Sequence, residues 1–224
     1  MTQLSTVPEG ATMSATRRRR LEIRRAILDA AIGEFARNGL AGTSTQAIAA
    51  AAGLTKAQLH YYITSKEELY EEALQFIVGE WKDIFFFSTS SSDPAEVICS
   101  YIDRKMRHAL EHPEVSRLFA SEVARGASVL SQHWGELKAA VDEASAVIRS
   151  WIDAGLIRPV DPVLFQMNMW AVTQHYAEYE AQVRTLLETP EGEALDADRI
   201  IREATELVLA RCGLARPQAD RGTA

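Results

Sequence analysis

Apolar residues recur along most of this chain at three- and four-residue intervals, the period of a helix with one buried face. The first such stretch is Ile23, Ala26, Ile27, Ala30, Ala31 and Phe35. It predicts a helix that starts near Arg17 or Leu21 and is closed by Asn38 and Gly39 as a C-cap pair. A short helix faced by Ile48, Ala49 and Ala52 follows, with Thr43 or Thr45 as its N-cap. Gly53 then supplies a turn, and Thr55 caps a third helix. Ser65-Lys66-Glu67-Glu68 reads as a capping box, with Ser65 at the N-cap and Glu68 at N3. It opens a long helix through Leu69, Leu74, Ile77 and Trp81 to about Phe87. After a Ser-rich stretch, helices are predicted over about 95–111, 113–125, 128–154 and 162–187, with a last one from Asp196 or Asp198 to Cys212. Residues 1–16 are expected to be a disordered, basic-ended arm, and 214–224 a flexible tail, because neither shows periodicity.

The expected class is therefore all-α. A helix-turn-helix domain over 17–66 precedes a larger helical domain over 67–213, expected to bind a ligand and to dimerise. Composition agrees, with 47% hydrophobic residues, seven prolines and long runs of strong helix formers. The net charge of −7 changes meaning once it is divided. Residues 1–66 hold nine Lys/Arg against four Asp/Glu, or +5; the remainder holds fifteen against twenty-seven, or −12. A local positive field suffices to attract a polyanion, because a Debye length of about 8–10 Å screens the distant acidic part. Cys99 and Cys212 lack metal spacing and read as reduced core residues. No segment is long and apolar enough to span a bilayer, and Met1–Thr16 has no apolar core of the secretory kind, so a cytoplasmic location is expected. His108, His112 and His133 share no metal spacing, so no metal or cofactor is expected.

The stretch from Arg17 to Leu69 carries the chemistry. A helix, a glycine turn and a short helix bearing polar and aromatic side chains read as an element that enters the DNA major groove. Within it, Lys56 and Gln58 have side chains able to pair with base edges. Thr43 and Thr55 stand at helix N-termini, where free N–H groups favour a phosphate. His60 and Tyr61 can donate to the backbone, and Lys66 can reach a phosphate. Arg17, Arg18, Arg19 and Arg20 form a basic arm for salt-dependent affinity or minor-groove entry. One such element reads few base pairs, so a homodimer on a palindromic double-stranded operator is expected. In the second domain, Met167, Trp170, Gln174 and Glu178 share one helix face. Periodicity alone leaves two readings of them open, a pocket for a small planar ligand or a dimer seam.

Gly53-Leu54-Thr55-Lys56-Ala57-Gln58-Leu59-His60-Tyr61-Tyr62-Ile63, followed by Lys66 and Leu69, resembles the DNA-binding motif of the TetR family of transcriptional regulators. Ala57, His60 and Ile63 replace that motif's common glycine, tyrosine and phenylalanine. The run 112–119 with Glu122, the loop 154–162, and Trp170-Ala171-Val172-Thr173-Gln174-His175-Tyr176-Ala177 resemble the pyrimidine-utilisation repressor branch. The resemblance implies that the last two helices form the dimer contact and that a small effector releases the operator. The effector is expected to be a pyrimidine or another small nitrogen-containing or aromatic metabolite. Trp81, Phe119, Glu122, Trp170, Gln174 and Tyr176 are its expected site. Two other classes remain: a ligand-independent DNA-binding dimer, and an α-helical enzyme using Glu122, His112 or His175. No catalytic signature supports the latter.

Overall fold

The computed structural model describes residues 15–85 and 91–217. The arm over 1–14, the expected end of helix four near Phe87, and the tail over 218–224 lie outside the described residues. The chain divides into two compact units, Met1–Tyr70 and Glu71–Ala224.

In the first unit, α1 (Ala15–Gly42) turns the buried row Ile27, Leu28, Ala31, Ile32 and Phe35 toward α2 (Thr45–Ala51) and Tyr70. The buried face is rotated from the expected one. Leu28 and Ile32 take the places assigned to Ala26 and Ala30, because the larger side chains remove more apolar area from water. Gly39, at φ 66°, interrupts α1 where the C-cap pair was expected, and the chain runs on helically only to Gly42. The N-cap of α2 is Ser44, whose hydroxyl accepts from the Ala47 N–H at 3.1 Å. Thr43 is instead 3% exposed, and its hydroxyl donates to the carbonyls of Gly39 at 2.7 Å and Glu34 at 3.1 Å. Gly53, at φ 69°, makes the turn into α3 (Lys56–Tyr62). Phe35 meets Tyr70 edge-on, with ring centroids 5.0 Å apart.

α4 (Lys66–Phe85) opens as the sequence predicts, with the Ser65 hydroxyl accepting from the Glu68 N–H at 3.0 Å. In the second unit, α5 (Pro94–Glu111) lies centrally, with α8 (Pro162–Glu178) and α10 (Ala197–Cys212) packed on it. Ile98, Ile102, Met106, Ile148, Met169, Ile201 and Leu209 belong to this core. Each start is capped as its sequence requires: Asp93 before Pro94, Asp161 before Pro162 and Asp196 before Ala197 each accept a backbone N–H. α6 (Pro113–Ala124) leads to a short 3-10 turn, Leu130–His133, and then α7 (Trp134–Asp153).

Two expected single helices are therefore split. The 128–154 stretch begins as the 3-10 turn. The 162–187 stretch breaks at Tyr179, and α9 (Glu180–Leu186) resumes after it. Arg117 of α6 bridges that break: its Nε donates to the Ala177 carbonyl at 3.0 Å, and its other nitrogen pairs with Glu180. Side-chain periodicity on one strand of sequence does not reveal a guanidinium that arrives from sixty residues away.

Candidate DNA interface and effector cavity

α3 is seven residues long, about 10 Å at the usual helical rise. Leu59 anchors it in the core of the first unit, and the Arg24 guanidinium donates to the Tyr62 carbonyl at 3.1 Å, tying its C-terminus to α1. The rest of the helix is turned outward. Lys56, Ala57, Gln58 and His60 are exposed, and Tyr61 is 76% exposed. Tyr62 is half-buried and meets Tyr61 edge-on. A rod held at both ends with its polar face open is the geometry that groove entry requires.

Three of the expected DNA contacts are used differently. Thr43 is buried and spends its hydroxyl on the main chain, so it offers nothing to a phosphate. The Lys66 ammonium donates to the carbonyls of Leu40 at 2.7 Å and Thr43 at 2.9 Å, fastening the α1–α2 corner. The corner's carbonyls are short of partners where α1 ends, and a cation at that negative helix end is favourable. Gln58 closes a capping box with Thr55: its Oε1 accepts from the Thr55 N–H at 2.8 Å, while the Thr55 hydroxyl accepts from the Gln58 N–H at 3.2 Å. A two-bond reading of adenine needs both the oxygen and the nitrogen of that amide, so this cap must open before Gln58 can make it.

The basic arm is also altered. Arg17, Arg18, Arg19 and Arg20 are exposed but helical, the first turns of α1. Successive residues of a helix point about 100° apart, so the four guanidiniums fan around the axis and only part of the set can face one surface. Arg18 lies 3.9 Å from Glu22 on the same helix.

The second unit contains a partly open cavity of about 290 Å³. Trp81 of α4, Phe119 of α6, and Trp170 and Gln174 of α8 line it, four of the six residues expected there. Trp81 and Phe119 pack ring against ring, with centroids 4.5 Å apart. The Trp170 indole N–H donates to the Tyr101 hydroxyl at 3.0 Å, which fixes the indole's orientation in the wall. Burial pushes the Tyr101 phenol's pKa up, so it stays protonated. Apolar groups such as Leu130, Leu137 and Val141 complete the wall. The size is at the small end of the range for ligand pockets, and aromatic walls with few polar groups are their usual lining.

Glu122 and Tyr176 do not line the cavity. Glu122 is 3% exposed, and its carboxylate accepts from the Val129 N–H at 2.9 Å and the Ser128 hydroxyl at 3.3 Å, with Arg125 3.4 Å away. It holds the turn after α6 and so shapes the wall indirectly. Tyr176 packs against the core of α5, α8 and α10. Met167, placed on the Trp170–Gln174 face by periodicity, does not line the cavity and is exposed, as is Leu164.

Several lining residues were not singled out from the sequence. His133 and Trp134 come from the 3-10 turn and the start of α7, which periodicity merged into one helix. Gln166 is buried, and its amide nitrogen donates to the Ser145 hydroxyl and the Pro162 carbonyl, each at 2.9 Å. Lys105 is buried behind Trp170, its ammonium 5.7 Å from the indole centroid. Burial lowers its pKa far below the usual lysine range, against the opposing pull of Glu178. Burial likewise raises the Glu178 carboxyl. No lone lysine on an amphipathic helix announces this from sequence.

Comparison with known proteins gives consistent matches. Residues 27–73 match the family described as bacterial regulatory proteins, tetR family, and residues 74–215 match the one described as YcdC-like protein, C-terminal region. The HTH-type transcriptional regulator RutR of Escherichia coli (strain K12) is 38% identical over 164 residues, 73% of this chain and 77% of its own. Among solved structures, the ketosteroid transcriptional regulator KstR2 of Mycobacterium tuberculosis superposes with a TM-score of 0.65 at 21% identity, over 92% of this chain and 98% of its own. AibR, crystallised with isovaleryl coenzyme A and operator DNA, superposes with a TM-score of 0.63 at 20% identity, over 83% and 97%. Those two likenesses describe the fold.

Proposed function

Because this chain belongs to the TetR family of bacterial regulatory proteins, it is a DNA-binding transcriptional regulator rather than an enzyme, and we propose that it is a homodimeric repressor released by a pyrimidine. The observation that carries the reading is the co-occurrence in one chain of an outward-turned α3 and an aromatic cavity whose wall includes α4. α4 begins at Lys66, which holds the α1–α2 corner, and reaches Trp81 in the cavity wall. A ligand that favours a different seat for Trp81 biases that helix, and with it the presentation of α3.

Apolar side chains left in water support the dimer. Leu164 and Met167 of α8 and Leu207 of α10 are 56%, 49% and 61% exposed. A two-fold mate laying its own α8 and α10 on these helices would cover all three, as a four-helix seam. Trp170 and Gln174 then belong to the pocket, and the exposed Leu164 and Met167 of the same helix to the seam. The pyrimidine is supported by the likeness of the Trp170–Ala177 stretch to the pyrimidine-utilisation branch. It is also supported by the chemistry of an indole and a primary amide side by side, which stack on a planar ring and pair with its edge.

Coupling between cavity and operator of about 1–3 kcal/mol changes DNA affinity about 5–150-fold. A gel-shift titration of the wild-type protein with uracil and thymine, on a duplex it selects from a random pool, tests the reading. Release by either compound is expected. Operator affinity unchanged by both removes pyrimidines as effectors.

A further inference from the structure

The cavity holds one polar group whose place in the fold is unexplained. His133, at the end of the 3-10 turn, lines the cavity, and its Nε2 is shut off from solvent with no hydrogen-bond partner among the described residues. A buried imidazole nitrogen left unpaired is destabilising, and native proteins rarely retain one without use.

Its neighbours in the wall do not supply the bond. The Gln166 amide nitrogen is committed to Val141, Ser145 and Pro162. The Tyr101 hydroxyl receives the Trp170 indole N–H. His108 has a similarly buried Nε2, but it is not among the cavity's lining residues. Among the described residues nothing pairs with the His133 Nε2, and because His133 lines the cavity, an occupant there can supply the bond.

We infer that His133 is a specificity-determining residue of the effector site, its Nε2 hydrogen-bonding one edge of the pyrimidine ring while Gln174 takes another. This inference rests on the pyrimidine reading above. His133 is on the turn ahead of α7 and Gln174 is on α8, so the two approach the ring from different elements. A neutral imidazole protonated on Nδ1 offers its Nε2 as an acceptor, which matches a ring N–H of the pyrimidine. Two polar readers in an otherwise apolar box select by what they would leave unpaired. A ring whose matching edge is blocked strands a buried nitrogen, and such mismatches discriminate strongly.

The test is calorimetric, with the full-length protein. Uracil, 1-methyluracil and 3-methyluracil are titrated into the wild type, His133→Phe and Gln174→Leu. Phenylalanine keeps the ring's shape without its nitrogens, and a thermal melt checks each variant's fold. The wild type is expected to bind uracil and to lose about 10- to 100-fold on at least one methylated ring. His133→Phe loses a similar factor on uracil, and in it that methylation penalty disappears. A His133→Phe protein that binds uracil like the wild type, or one in which the full penalty persists, overturns the role of His133 while leaving the pyrimidine reading intact. A wild type that binds none of the three rings overturns both. Should His133→Phe fail to fold, the ligand side decides: equal wild-type affinity for all three rings overturns the inference, because no buried partner then reads either ring nitrogen.

Discussion

Removing the Lys66 ammonium separates two roles that its sequence position allows. In the structure that ammonium makes two charge-assisted bonds to the Leu40 and Thr43 carbonyls, at 2.7 and 2.9 Å. Hydrogen bonds to a charged donor contribute about 1.5–3 kcal/mol each. Lys66 is half-buried, and its two bonds share one donor group, so Lys66→Met should destabilise the first unit by about 2–4 kcal/mol rather than the full sum. The Thr43 amide, itself bonded to the Gly39 carbonyl, lies in the loosened corner. Its hydrogen exchange should accelerate, while amides in α10 should be unchanged. Operator affinity should fall because the corner that orients α2 and α3 is loosened. The dependence of log affinity on log salt should keep its slope. Had Lys66 been a phosphate contact, the slope would become shallower by about 0.9 per subunit. A slope change of that size with unaltered exchange at Thr43 would refute the structural role.

Three further variants follow. Glu122→Ala removes the acceptor of the Val129 N–H and should cost about 1–3 kcal/mol in denaturant unfolding, with effector affinity falling alongside; lost effector affinity at full stability would return Glu122 to the ligand's direct contacts. Because burial lowers the Lys105 pKa, the unfolded chain holds more protons there than the folded one, so Lys105 makes stability rise with pH up to the ordinary lysine value of about 10.4. Unfolding midpoints at pH 7 and pH 9 should therefore rise less in Lys105→Met than in the wild type. The comparison also isolates Lys105 from the Cys212 thiol, which burial raises to about 11 and which acts with the opposite sign. Met167→Glu combined with Leu164→Glu should give a monomer in sedimentation velocity, whereas an intact dimer would move the seam away from α8.

The residues that were legible in the sequence are those whose task is local. Ser65 and Glu68, Asp93 before Pro94 and Asp161 before Pro162 announce helix starts because a cap and its helix are adjacent in sequence. The outward face of α3 was legible for the same reason, since its turn glycine, its cap and its Leu59 anchor fall within seven residues. What stayed hidden depends on partners far along the chain. Lys66 meets Leu40 across 26 residues, Arg117 reaches Ala177 across 60, and Trp170 finds Tyr101 across 69. Polar residues recruited this way look in sequence like surface or DNA-facing groups. Thr43 and Glu122 have their partners within nine residues and were misread for another reason, because burial of a polar side chain follows from its partners and not from its type.

If cavity and operator are two ends of one equilibrium, each ligand must weaken the other, and the reciprocal measurement decides it. Uracil affinity is measured by calorimetry on the free protein and on the protein saturated with its selected duplex, and duplex affinity is measured with and without saturating uracil. Both affinities must fall by the same factor, within the range of about 5–150-fold. Uracil binding that is identical on free and DNA-bound protein would contradict it.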